Sequence, residues 1–296
     1  MFTGLSAFPL TPITASGVDE QGFIKILTRL TAARVDSMGI LGSTGSYAYL
    51  TREQRKRIAT LAKQHARDIP MMVCVGAVST DAILHLADDA QAAGANALLL
   101  PAVSYQSLSD EEVFSLFETV TRHVSVPVCI YDNPGTTHFT FTDELHGRLS
   151  SLEGVRSVKI PGVPDSPAAA TERVAALRQH LRPGVTIGIS GDAYAGLGLN
   201  AGCEVWYSVC GGLFPETAKQ ITEAAAQDHE RVTALTVRLE PLWALFRKHG
   251  GSIRVIAAAA GVLGLTDTDC LPRPLQPLSA SDIAEIACVI TALDLK

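Results

Sequence analysis

The chain has 296 residues, 47% of them apolar, and a formal net charge of −6. That much apolar material can bury one large core, which excludes a disordered chain, and the acidic balance provides no sequence-wide basic field to attract nucleic acid or an anionic membrane surface. No uninterrupted apolar stretch approaches the roughly 20 residues of a membrane helix, and the opening MFTGLSAFPLTP lacks a basic segment followed by a long apolar one, so a soluble, cytoplasmic protein is expected.

In chain order, an opening strand around 4–8 is followed by short apolar runs: SMGILG (37–42), PMMVCVG (70–76), ANALLLP (95–101), VPVCIYD (126–132), VRSVKI (155–160), VTIGIS (185–190) and EVWYSV (204–209). These runs are continuously apolar, as parallel strands buried on both faces are. The intervals between them carry helical patterns, and Thr51 with Gln54 and Ser109 with Glu112 fit capping boxes at helix starts. Eight strands alternating with helices predict an α/β fold, a (β/α)8 TIM barrel. A doubly wound sheet is the alternative, but the glycines at 196, 198 and 202 do not form a G-x-G-x-x-G turn after a strand. From Pro215 the pattern turns helical: an amphipathic stretch runs to His249, with further helices over 252–263 and 281–295. A barrel over 1–227 and a C-terminal helical appendage over 228–296 are expected, the appendage packing beside the barrel or building an oligomer contact.

In such a barrel, reactive groups gather at the C-terminal ends of the strands. Lys159 stands at the end of the sixth run. The other lysines, Lys25, Lys56, Lys63, Lys219, Lys248 and Lys296, lie in polar or amphipathic helical contexts or at the terminus. Burial lowers an amine's pKa and makes it a nucleophile toward a carbonyl, whereas a lysine that lifts its ammonium to solvent is the structural alternative. YDNPGTT after the fifth run puts Tyr131 at the mouth, able to shuttle protons or simply half-buried with a solvated hydroxyl. GSTGS after the second run (42–46) offers two glycines, hydroxyls and backbone amides suited to a carboxylate, although such a stretch is often only a turn, and it is not a P-loop. After the seventh run, Asp192 occupies a place where many barrels hold a phosphate, which argues against a phosphorylated substrate. The eight histidines form no metalloprotease pattern, and the six cysteines (Cys74, Cys129, Cys203, Cys210, Cys270 and Cys288) show no zinc spacing and read as reduced thiols. No metal or cofactor is called for.

GSTGS, YDNPGTT and VKI, on the second, fifth and sixth strands in that order, resemble the dihydrodipicolinate synthase and N-acetylneuraminate lyase superfamily of class I, pyruvate-type aldolases, over essentially the whole chain. The resemblance implies that Lys159 forms the imine, that Tyr131 relays protons, and that Gly42, Ser43, Thr44 and Gly45 hold the keto-acid carboxylate. It also implies that Gly191 and Asp192 line the mouth and that Tyr105 reaches across a subunit interface in a homo-oligomer, a dimer or tetramer. Thr136 falls where dihydrodipicolinate synthases carry the arginine that grips the second substrate's carboxylate, and Ser46-Tyr47 replaces the usual Glu-Ser. A Schiff-base lyase or aldolase acting on pyruvate or a related non-phosphorylated 2-oxo acid is therefore expected, rather than a strict dihydrodipicolinate synthase. The alternatives are a dehydratase or deaminase of a sugar-acid or hydroxyproline-derived substrate through the same imine, and a non-catalytic 2-oxo-acid-binding or regulatory protein.

Overall fold

The computed structural model describes residues 1–295; Lys296 lies outside them. Eight parallel strands form a closed barrel: β1 (Gly4–Ala7), β2 (Ser37–Ile40), β3 (Met71–Cys74), β4 (Ala97–Pro101), β5 (Val128–Tyr131), β6 (Val155–Ile160), β7 (Thr186–Ile189) and β8 (Val205–Ser208). Each strand pairs with its neighbours in sequence, and β1 pairs with both β2 and β8, so the barrel has no free edge. Closure rules out the doubly wound alternative, and all eight expected strands are present. A two-stranded ribbon, Ile13–Thr14 with Gly17–Val18, lies outside the barrel.

The helices between the strands are α1 (Glu20–Ala32), α2 (Arg52–His65), α3 (Thr80–Ala92), α4 (Asp110–His123), the single turn α5 (Pro134–Thr137), α6 (Asp143–Ser150), α7 (Pro167–His180) and α8 (Ala195–Asn200). The capping boxes on α2 and α4 form as the sequence suggests, each hydroxyl and carboxamide or carboxylate closing the other's free amide. After β8 come α9 (Pro215–Ala225), α10 (His229–Arg238), α11 (Glu240–Lys248), α12 (Ser252–Val262) and α13 (Ala280–Leu293). The amphipathic stretch from 215 to 249 is thus divided into three helices. Asp228 caps a new start by accepting from the Arg231 amide, and Pro241 sits in the first turn of α11, a place a proline tolerates only at a helix start. No helix among the described residues is long and apolar enough to cross a membrane.

The barrel interior is packed rather than hollow. Tyr207 and Phe8 meet edge to face at 5.9 Å and fill the centre. Glycines opposite make room for them: a Cβ on Gly188 would lie 2.2 Å from the Tyr207 ring, and one on Gly39 would lie 2.3 Å from Phe8. The Tyr207 hydroxyl bonds Ser157 Oγ at 2.6 Å, which satisfies the one polar group of this plug. A layer of side chains therefore closes the barrel beneath its C-terminal mouth.

Candidate active site at the barrel mouth

Ser157 and Lys159 share a face of β6, two residues apart, so Lys159 stands one layer above the plug. A register shift between β5 and β6 decides what it meets. Val128 pairs with Val155 but Cys129 pairs with Ser157, and from there Tyr131 falls directly opposite Lys159. Without that skipped residue the lysine would sit opposite an outward-facing position, because a slip of one residue reverses the face. Arg156, the skipped residue, turns its guanidinium back to the carbonyls of Glu153 and Val155 at the strand's start.

Lys159 is 6% exposed. Its Nζ lies 4.3 Å from the centre of the Tyr131 ring and 5.4 Å from that of Phe8, against two aromatic faces. Burial pulls its pKa down to about 8, only partly offset by the negative potential of Cys129, Asp192, Cys74 and Asp132. Near neutral pH a useful fraction of the amine is therefore unprotonated and nucleophilic.

Tyr131 is buried, which pushes its phenol up, while hydrogen bonds pull the other way. Its hydroxyl shares a hydrogen bond with Ser43 Oγ at 2.9 Å and accepts from Asn133 Nδ2 at 3.0 Å. Ser43 belongs to the loop after β2, whose backbone is strained at both ends: Leu41 has φ 60° and Ser46 φ 59°, left-handed values that cost a non-glycine residue about 1 kcal/mol or more each. The turn is held by the Ser46 amide donating to the Ser43 carbonyl. Among the described residues the amides of Ser43, Thr44 and Gly45 donate to no other group of the chain. They are free to receive a carboxylate.

These groups border a cavity of about 580 Å³, of which Ser43, Thr44, Tyr131, Thr136, Lys159 and Gly191 form part of the wall. Gly42 and Gly45 are buried behind it. Asp192 turns its carboxylate into the barrel wall instead: Oδ1 accepts from Trp206 Nε1 at 2.9 Å and Ser208 Oγ at 3.1 Å, and Oδ2 from the Cys210 amide at 2.7 Å. Burial raises this carboxyl to about 6. Within one chain it ties β7 to β8 rather than facing the cavity. Tyr105, 89% exposed in the loop after β4, is not part of the cavity wall.

The rest of the wall was not evident from the sequence, apart from Tyr47, which the sequence already showed as a replacement in the loop after β2. Asn133 orients the Tyr131 hydroxyl, and Tyr47 is held by the Arg55 guanidinium 5.4 Å from its ring. The segment Gly250–Arg254, the end of the connection from α11 and the first turn of α12, and Leu275 come from the C-terminal region and line part of the mouth. Nothing local in that segment signals a site; only the packing of α11 against the turn after β7 brings it there.

Behind the site, Asp132 links to Lys159 through its amide, which donates to the Lys159 carbonyl at 3.0 Å. Its carboxyl faces His146 Nε2 at 3.5 Å, longer than a good hydrogen bond. Burial drives both toward neutrality, Asp132 up to about 7 and His146 down to about 4, so near pH 7 the two do not form a settled ion pair. Among the described residues no three His, Cys, Asp or Glu side chains are grouped to hold a metal ion.

The sequence profile of the dihydrodipicolinate synthetase family matches residues 1–293. A 4-hydroxy-tetrahydrodipicolinate synthase from Parvibaculum lavamentivorans is 29% identical over 288 residues, covering 95% of this chain and 94% of that protein. The crystal structure of a dihydrodipicolinate synthase from Agrobacterium tumefaciens is similar with a TM-score of 0.94 and 45% identity, over 99% of this chain and 98% of that one. A prophage protein of the dihydrodipicolinic acid synthase family from E. coli K12, solved in complex with pyruvate, gives a TM-score of 0.90 at 25% identity over 100% of both chains.

Proposed function

The chain belongs to the dihydrodipicolinate synthetase family, whose members are lyases of the class I aldolase type, and on that premise we propose that it is a Schiff-base-forming lyase or aldolase acting on pyruvate or a related non-phosphorylated 2-oxo acid. The observation that carries this reading is Lys159: a buried amine, held down to about pH 8, facing the cavity with Tyr131 directly across the sheet. The neutral amine adds to the C2 carbonyl, the carbonyl oxygen leaves as water after protonation, and a protonated imine remains. That imine accepts the electron pair released when a carbon-carbon bond at C3 breaks, or when C3 loses a proton. The enamine so formed takes a proton at C3 and returns to the protonated imine, and hydrolysis then gives the ketone and the amine. Tyr131, bonded to Ser43, moves the protons, while the free loop amides and the Thr44 hydroxyl hold the substrate carboxylate.

Thr136 supports a reaction other than dihydrodipicolinate synthesis. Its hydroxyl is turned to the Asn133 carbonyl at 3.4 Å, and a threonine cannot present the two parallel donors of a guanidinium to a carboxylate. A cavity of about 580 Å³ is more than a three-carbon acid fills, which favours as a second reading the dehydration or deamination of a longer sugar-acid or hydroxyproline-derived substrate through the same imine. Tyr105, exposed and aromatic, is suited to reach a neighbouring subunit in a homo-oligomer.

The test is intact mass after incubation with pyruvate and sodium borohydride, beside a Lys159→Ala control. An adduct on the wild type that the variant lacks is expected. No adduct with pyruvate or with several other 2-oxo acids would leave a 2-oxo-acid-binding protein without imine chemistry.

A further inference from the structure

The cavity wall has two contributions of different origin. One is the set of strand-borne groups, with Lys159 and the free amides after β2. The other is the segment Gly250–Arg254, carried in by the C-terminal helices. Lys159 and Arg254 are the lysine and arginine of the wall, and the wall contains no aspartate or glutamate. The two cations thus face a common space that no carboxylate of the chain lines.

Arg254 differs from the other arginines in how its donors are used. Arg55, Arg29 and Arg182, also partly or wholly covered, give their N–H groups to backbone carbonyls, and Arg173 grips Asp143 with two bonds of 2.7 Å. Among the described residues Arg254 is the one arginine that is largely covered yet has neither a carboxylate nor a carbonyl partner. Its five donors are therefore not committed to any group of the chain. Its position in the first turn of α12 is unfavourable for a cation, which meets the positive end of the helix dipole there. An anion bound in the cavity would take up the donors and relieve that repulsion.

Building on the imine reading above, we propose that the substrate is a 2-oxo acid with a second carboxylate at its far end, and that Arg254 is the residue that selects it. The first carboxylate occupies the amides of the loop after β2, C2 reaches Lys159, and the distal carboxylate takes the guanidinium of Arg254. Pyruvate, with nothing to offer Arg254, engages only the strand-borne groups.

The test compares acids of equal length that differ only at the far end: 2-oxoglutarate with 2-oxopentanoate, and 2-oxoadipate with 2-oxohexanoate. Calorimetric affinities are measured on wild type, on Arg254→Gln and Arg254→Lys, and on Lys159→Ala, where no imine can form. In at least one pair the dicarboxylate is expected to bind about tenfold or more tightly, since a charge-assisted pair is worth roughly 1.5–3 kcal/mol and 1.4 kcal/mol is tenfold. The preference should persist in Lys159→Ala, shrink in Arg254→Lys and fall to near unity in Arg254→Gln. No preference in either pair on the wild type, or a preference that survives Arg254→Gln unchanged, overturns the proposal. Thermal unfolding confirms that the variants fold; should Arg254→Gln fail to, the Lys variant decides by the same ratio. If no borohydride adduct forms on the wild type while the Arg254-dependent preference remains, the imine reading fails and this one stands.

Discussion

Two cations are buried near the C-terminal ends of the barrel strands, and they are treated in opposite ways. Arg55, 6% exposed, points inward from α2 and gives Nη1 to the Gly76 carbonyl at 2.9 Å and Nη2 to the Cys74 carbonyl at 2.8 Å, so its charge serves the end of β3. Lys159, also 6% exposed, has two aromatic rings and an open cavity, and among the described residues no hydrogen bond is made by its Nζ. Neither has a carboxylate partner. The difference lies in commitment: a buried cation that gives two donors to backbone carbonyls is structural, whereas one that bonds nothing of the chain beside a cavity is available for chemistry.

The largest effect expected from that contrast is on rate. Well below pH 8 the neutral fraction of Lys159 falls tenfold per pH unit, so adduct formation with pyruvate, followed by mass after borohydride quenching, should rise about 50-fold from pH 6 to 8 and level above pH 9. A profile flat across that range would mean that the amine is not what limits imine formation.

Stability should separate the two cations by sign. Arg55→Met leaves two buried carbonyls without donors and is expected to cost about 2–4 kcal/mol in urea unfolding. Lys159→Met removes a charge whose burial is unfavourable. The lysine's folded-state pKa is depressed from 10.5 to about 8, so the unfolded chain holds the proton more tightly, and the penalty is complete below pH 8 and disappears as pH rises to 10.5. The Met variant should therefore be more stable than the wild type by up to about 3 kcal/mol at pH 7, with the gap closing toward pH 10.5. Destabilisation by Lys159→Met would remove the distinction between a structural and a reactive cation on which the site rests.

The same contrast explains what could be read from the sequence. The strands were legible because both faces are buried, and Lys159 stood out because a cation interrupts such a run. Arg55 did not, because on α2 it reads as one more charge of an amphipathic helix. The pairing of Tyr131 with Lys159 depends on the register shift at Val128 and Cys129, which no pattern of apolar residues encodes. The carboxylate of Asp192 turns inward because Trp206, Ser208 and the Cys210 amide converge on it, all of them more than ten residues away in sequence. Arg254 approaches Lys159 only through the docking of the C-terminal helices, so the sequence reading, which took that region for packing or oligomer contact, had no local signal to find.

The smallest effect lies behind the site, where two buried groups oppose each other. His146 titrates at 6.5 when unfolded but at about 4 when folded, so on acidification the unfolded chain gains a proton first and stability falls across that window. Asp132 titrates at 3.8 unfolded and about 7 folded, so the folded chain gains a proton first and stability rises as pH falls from 7 toward 3.8. Between about pH 4 and 6.5 the two slopes are equal and opposite, and their joint contribution to the pH dependence of the wild type's stability should be close to zero. His146→Gln removes the falling arm and should make the protein gain stability relative to wild type as pH is lowered from 6.5 to 4, by up to about 3 kcal/mol. Asp132→Asn removes the rising arm and should make it lose a similar amount over the same interval. Urea unfolding of the three proteins at pH 6.5, 5.5 and 4.5 measures the slopes. Parallel curves would mean that the pair titrates no differently in the folded and unfolded chain, and that burial behind Lys159 is less complete than the packing of Phe141 against His146 at 5.0 Å indicates.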